Sequence, residues 1–167
     1  MAEIKSINNL LGMKLNIPDY QRPYKWAVQN IEYLLSDITN AIEDAKKYRA
    51  GFKYRIGTII IHKKDKCIFD VVDEQQRIIS LILLKLYLEP KFKCSILSKY
   101  FMNKVTQTNI HNNYMFIKEW FSLKSDDVKK DFIKAFEEIL ETVIICVDKV
   151  SEAFQLFDSQ NTRGKSL

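Results

Sequence analysis

The sequence predicts a mixed fold of helices and strands, and three observations carry that reading. Tyr54 to His62 and Cys67 to Val72 are β-branched and aromatic runs parted by the polar turn Lys63-Lys64-Asp65-Lys66, the pattern of an antiparallel hairpin. From Ala27 to Lys47, Val28, Ile31, Leu34, Leu35, Ile38, Ala41, Ile42 and Ala45 recur at three- and four-residue spacing, which predicts an amphipathic helix with an acidic and amide outer face. Thr142 to Asp148, after a long stretch of helical periodicity, reads as a buried strand.

In chain order, residues 1–13 read as a lead-in with a short helix, and Lys14 to Ile17 as a strand stopped by Pro18. Pro18 and Pro23 stiffen the segment Ile17 to Trp26, whose Tyr20, Tyr24 and Trp26 would anchor an aromatic lid over the core. Arg22, between that rigid turn and the next helix, would itself be a second phosphate-facing cation, held with little entropy to lose. Gly51 ends the first long helix, and Gly57 marks a close approach within the first hairpin strand. Ile78 to Leu88 is apolar nearly all round, as a central buried helix would be, and Glu89-Pro90 ends it. Residues 95–141 read as helical throughout, with Ile96, Leu97, Tyr100 and Phe101, then Ile110 to Phe121, then a segment opened by Ser125-Asp126-Asp127 and carrying Val128 to Leu140. Ser151 is expected to cap a short helix bearing Phe154 and Phe157, and Gly164 to end it. No further element follows Gly164, so the sequence reads as a truncated chain.

At 167 residues, 47% hydrophobic and 28% charged, the chain suits one domain with a real core. Lys85 breaks the longest apolar run well short of the roughly 18 residues a spanning helix needs, and the first residues lack the pattern of a secretory leader, so a cytoplasmic location is expected. Cys67, Cys94 and Cys146 are odd in number and far apart, which predicts reduced structural thiols; with only His62 and His111 beside them, no built-in transition-metal site is expected. The formal net charge of +5 tilts the chain toward an anionic partner. Its densest basic stretches are Lys46-Lys47-Tyr48-Arg49 with Lys53 and Arg55, and Lys63-Lys64 with Lys66, runs that are more often a solvated face or hairpin tip than a binding stripe.

The stretch with most chemistry in it is Val72-Asp73-Glu74-Gln75-Gln76-Arg77, where strand gives way to helix. Asp73 falls at the expected N-cap with Gln76 three residues on, the spacing of a capping box. Arg77 would then sit in the first turn, where a cation opposes the helix dipole. Either a neighbouring carboxylate answers it, or a bound phosphate does, held by free backbone N–H groups and a bidentate guanidinium.

Taken together, Ile17 to Trp26, Gly57-Thr58-Ile59, Val72 to Arg77 and Phe154 to Gly164 resemble, in order, the N-terminal domain of GmrSD-like proteins, related to ParB and sulfiredoxin. The family's Asp-Gly-Gln-Gln-Arg signature matches at Asp73, Gln75, Gln76 and Arg77, with Glu74 at the glycine position. The resemblance implies an α+β domain over residues 1–167, a ParB/sulfiredoxin-like small mixed sheet packed by helices, with a helical insertion at about 91–141 between the signature helix and the last strand. It also implies a site that binds or hydrolyses a nucleoside triphosphate, with Mg²⁺, to control restriction of modified foreign DNA by a separate HNH-type nuclease domain or subunit; neither histidine here sits in such a nuclease motif. On that reading Arg77, Arg22, Tyr20 and Gln21 bind phosphate or substrate, Gln75 or Gln76 positions the attacking water, Asp73 orients the site or the Mg²⁺, and Asn161 and Arg163 close it. Glu74 either points to solvent at the helix start or turns inward, pairs with Arg77 and occupies the phosphate position.

Three functions follow: a nucleotide-binding or nucleotide-hydrolysing regulatory domain, a non-enzymatic module that reads DNA through a cationic groove, or an inactive scaffold for a partner. The first predicts triphosphate binding that depends on Arg77, and the second predicts affinity that falls steeply with salt.

Overall fold

The computed structural model describes residues 1–18, 22–48, 50–94, 96–97 and 103–165, without the side chains of residues 157 and 160–165. The α+β class is as expected. Five strands, β1 (Ala2–Ser6), β2 (Leu15–Asn16), β3 (Tyr54–Lys63), β4 (Phe69–Val71) and β5 (Leu140–Val147), form one mixed sheet in the order β1-β5-β3-β4-β2. β3 and β5 run parallel at its centre, the β3–β4 hairpin is antiparallel as predicted, β1 pairs antiparallel with β5, and β2 pairs parallel with β4.

The six described helices are α1 (Ile7–Leu11), α2 (Val28–Tyr48), α3 (Gln75–Leu88), α4 (Lys104–Ser122), α5 (Asp126–Glu138) and α6 (Val150–Lys165). Alternation along the strands sets the two faces. Ile59, Ile61, Val71 and Ile144 go into the main core with Ile78, Leu81, Ile117, Phe121, Phe132 and Phe136 from α3, α4 and α5, whereas Ile60, Val72 and Val147 form a smaller cluster under Ala153 of α6. Both helices between α3 and β5 therefore contribute to the core.

Four expectations need correcting. The lead-in contains a strand, β1, whose register partner β5 comes only near the other end of the chain, too far for a local pattern to announce. The last helical stretch stops at Glu138, and Leu140 already belongs to β5. Ser151 lies inside α6, which starts at Val150, and Gly164 lies inside it too, so neither marks an end of that helix. Tyr100 and Phe101 lie outside the described residues.

Of the Pro-stiffened segment, residues 23–26 are tied onto α3 and α4, with Tyr24 as the main anchor; Tyr20, another expected anchor, lies outside the described residues. Tyr24 is fully buried. Ser80 Oγ donates to the Gln76 carbonyl at 2.8 Å, so its one proton is taken and the Tyr24 hydroxyl is the donor in the 2.7 Å bond between them. Asn113 Nδ2 donates to the Tyr24 oxygen at 2.8 Å and to the Trp26 carbonyl at 2.8 Å. Backbone groups of Tyr24 meet Thr106 Oγ1 at 3.1 Å and Asn109 Nδ2 at 2.9 Å. Burial pushes the Tyr24 hydroxyl pKa up to about 12, so it remains a donor throughout the neutral range.

Tyr24→Phe should cost about 1–3 kcal/mol by leaving the buried amide of Asn113 and the Ser80 oxygen each short of a partner, read as a lower urea midpoint with an unchanged slope.

Candidate functional site

The β4–α3 junction is turned by one residue. Glu74 adopts φ 69° and ψ 25°, the left-handed conformation that costs an L-residue with a side chain roughly 1–2 kcal/mol, and it is the non-glycine residue with positive φ among those described. Glu74, not Asp73, is the N-cap of α3, and its side chain makes no capping bond. Asp73 Oδ1 instead accepts the Glu74 N–H at 2.9 Å, and Ile78 N–H reaches the Glu74 carbonyl at 3.0 Å. The expected capping box is thus absent.

Gln76 works elsewhere. Its Oε1 accepts the N–H groups of Lys25 at 2.7 Å and Trp26 at 3.2 Å, and its Nε2 donates to the Pro23 carbonyl at 3.2 Å. One amide therefore satisfies three backbone groups of a segment with no regular structure of its own. Gln76 is a clamp on that segment. Gln75 opens α3 beside it and is half-buried.

Arg77 lies across the sheet. Its Nη1 donates to the Ile56 carbonyl at 3.0 Å and stands 3.2 Å from Glu74 Oε2, both side chains about one-third exposed. A Cβ on Gly57 would come within 2.8 Å of that same nitrogen, so the glycine is where the guanidinium crosses the strand. Thr142 Oγ1 donates to the Gly57 carbonyl at 2.8 Å and fixes the strand there, next to a register shift between Arg55 and Gly57. Of the two answers open for Arg77, the structure shows the first: a neighbouring carboxylate sits beside it, and Glu74 is turned inward.

Burial pushes the carboxyl of Glu74 above its ordinary range despite the opposing pull of Arg77, and Asp73 is raised for the same reason, against its backbone hydrogen bond and Arg77. Two half-buried carboxyls and one guanidinium thus share the junction.

Arg77 also lines a cleft of about 210 Å³ with Trp26, Asn30, Tyr33, Asp37 and Tyr54. Sequence reasoning missed this wall, because Asn30, Tyr33 and Asp37 belong to the outer face of α2 that reads as solvated; their i, i+3, i+7 spacing beside a strand-bound aromatic was the available signal. Arg22 is exposed and is not among the residues lining this cleft. Tyr20 and Gln21 lie outside the described residues, and the backbone of Asn161 and Arg163 continues α6, with their side chains outside the description.

Among the described residues no three or more His, Cys, Asp or Glu side chains gather to hold a metal, and no helix is long and apolar enough to cross a membrane. The cysteines are free. Much of the first basic stretch is answered from within: Lys46 meets Asp131 at 2.8 Å, Lys53 donates to the Glu138 carbonyl at 2.6 Å, and Arg55 meets Glu141 at 2.9 Å. Arg49 lies outside the described residues, and Lys63, Lys64 and Lys66 are exposed at the hairpin tip.

The family model of the GmrSD restriction endonuclease N-terminal domain matches residues 4–167. The chain belongs to that family. No curated protein matches it. Membership in the GmrSD N-terminal domain family points to a component of a restriction, or phage-defence, system. The Asp-Gly-Gln-Gln-Arg signature now has a backbone explanation, since its glycine falls on the residue that takes the left-handed conformation, and here that residue is Glu74.

Glu74→Gly should relieve backbone strain of roughly 1–2 kcal/mol while losing a partly exposed ion pair worth at most about 1 kcal/mol, so the variant should be as stable as the parent or up to about 2 kcal/mol more so in urea unfolding. The raised carboxyls also set a sign for pH. Over a window that opens at the ordinary values of 3.8 for Asp73 and 4.5 for Glu74 and closes at their raised values, the folded state holds more protons than the unfolded one. These two groups therefore make stability fall as pH rises through that window, and Glu74→Gln should flatten the slope measured by denaturation at a series of pH values.

Proposed function

We propose that this domain is a nucleoside-triphosphate-binding regulatory component of a restriction system, in which the carboxylate of Glu74 holds the phosphate position at Arg77 until a nucleotide displaces it. The observation that carries the reading is the placement of Arg77 in the first turn of α3 and beside a cleft; the 3.2 Å pair with Glu74 Oε2 means that a phosphate would have to displace that carboxylate. A carboxylate is the side chain closest in charge and hydrogen-bonding capacity to a phosphate oxygen. Where Glu74 sits, an anion is stabilised by the same guanidinium that would bind the ligand.

Binding is proposed here without hydrolysis, because Gln76, one of the two amides offered for positioning water, spends its side chain on residues 23–26. Mg²⁺ would arrive with the triphosphate. One or two carboxylates plus phosphate oxygens satisfy that ion, and Asp73, with one oxygen on the Glu74 N–H, would supply a carboxylate. DNA cleavage is assigned to a separate HNH-type nuclease domain or subunit, to which this domain would report nucleotide occupancy.

Calorimetry with ATP, GTP, CTP and UTP plus Mg²⁺ tests the reading. Binding should tighten about tenfold or more in Glu74→Gly, which removes the competing charge, and vanish in Arg77→Ala. If Glu74→Gly releases no heat with any of the four, the triphosphate reading is wrong and a scaffold role is left.

A further inference from the structure

Beyond Arg77, the same cleft has the composition of a site for a planar heterocycle. Trp26, Tyr33 and Tyr54 supply aromatic surface, Asp37 and Asn30 supply polar edges, and about 210 Å³ of space lies between them. An apolar cavity of about 150 Å³ holds a benzene molecule, so the cleft has room for one ring system and not for a whole nucleotide. Ribose and phosphates would leave it toward Arg77.

Part of this wall is tied in place before any ligand arrives. Tyr33 keeps 60% of its surface exposed, and Gln29 Nε2 donates to its hydroxyl at 3.0 Å. The backbone of Trp26 is tied through its N–H to Gln76 and through its carbonyl to Asn113. Asn30 Oδ1 accepts the Ala27 N–H at 2.9 Å, which leaves the amide nitrogen, a donor, for a ligand. Asp37 offers acceptors only.

Donors and acceptors then select among bases. A carboxylate is matched by two adjacent donors, and guanine carries N1–H beside the 2-amino group on one edge with O6 and N7 acceptors next to it. Adenine and cytosine place an acceptor beside their amino group, and uracil flanks its single N–H with two carbonyls, so each would set lone pairs against Asp37.

We infer that this cleft is a guanine-base subsite, with the ring stacked among Trp26, Tyr33 and Tyr54, its donor edge on Asp37 and an acceptor on Asn30. The inference names the base of the triphosphate proposed above and rests on that reading for its physiological ligand, but it can be tested without phosphate. In an NMR titration of the full chain, guanosine should shift amide signals of residues 30–37 and 54–56. Inosine, which lacks the 2-amino group, should bind about tenfold more weakly or worse. Asp37→Asn should erase the difference between guanosine and inosine. Equal shifts with guanosine, inosine and adenosine, or no shifts with any nucleoside, would overturn the guanine subsite. If GTP binds and Asp37→Ala leaves its affinity untouched, the subsite falls while the triphosphate reading stands; if guanosine binds as described and triphosphates add nothing, the subsite stands and the phosphate reading falls.

Discussion

Chain direction at the end of β4 depends on a single backbone conformation. With φ 69° at Glu74, the strand turns and α3 starts at once, lying on the main-core face of the sheet. That placement puts Arg77 over Gly57 and Gln76 against residues 23–26. The core itself supplies the force that tolerates the turn, because Ile78, Ile79, Leu81 and Leu84 are all fully buried within the first three turns of α3. A left-handed residue costing roughly 1–2 kcal/mol is small beside the roughly 1.5–3 kcal/mol that each such side chain gains on burial.

Having Glu at this position links two properties that a glycine would keep separate. The same residue strains the backbone and neutralises the guanidinium that the strained turn presents. Neither carboxyl at the junction is comfortable as an anion, since burial raises both. Arg77 is what makes ionised Glu74 tolerable.

Much of the fold was readable from periodicity. The β3–β4 hairpin, α2 and the buried α3 carry dense local patterns, and each formed where its pattern lay. β1 did not show itself, because a five-residue edge strand has too few positions to establish a period and its pairing is entirely long-range. At the site, the crowding of Asp73, Glu74, Gln76 and Arg77 was legible, but their roles were not. The capping-box spacing of Asp73 and Gln76 is a local argument, and it lost to a three-bond demand from a segment fifty residues away. The buried net of Tyr24, Ser80 and Asn113 was hidden for the same reason, since polar residues on two helices reveal nothing in sequence about a shared tyrosine.

The position of β5 has a consequence for how the molecule is made. It is inserted between β1 and β3, pairing Ile4 with Val143 on one side and Ile59 with Ile144 on the other. Until the ribosome has passed Val147, the first strand has no neighbour and the central one lacks half its ladder. Parallel pairing across such a span is slow to establish, and a waiting, unpaired edge invites the wrong partner. Nascent chains of this domain therefore depend on late closure of a gap in the middle of the sheet, and the sheet is complete only once β5 has been made.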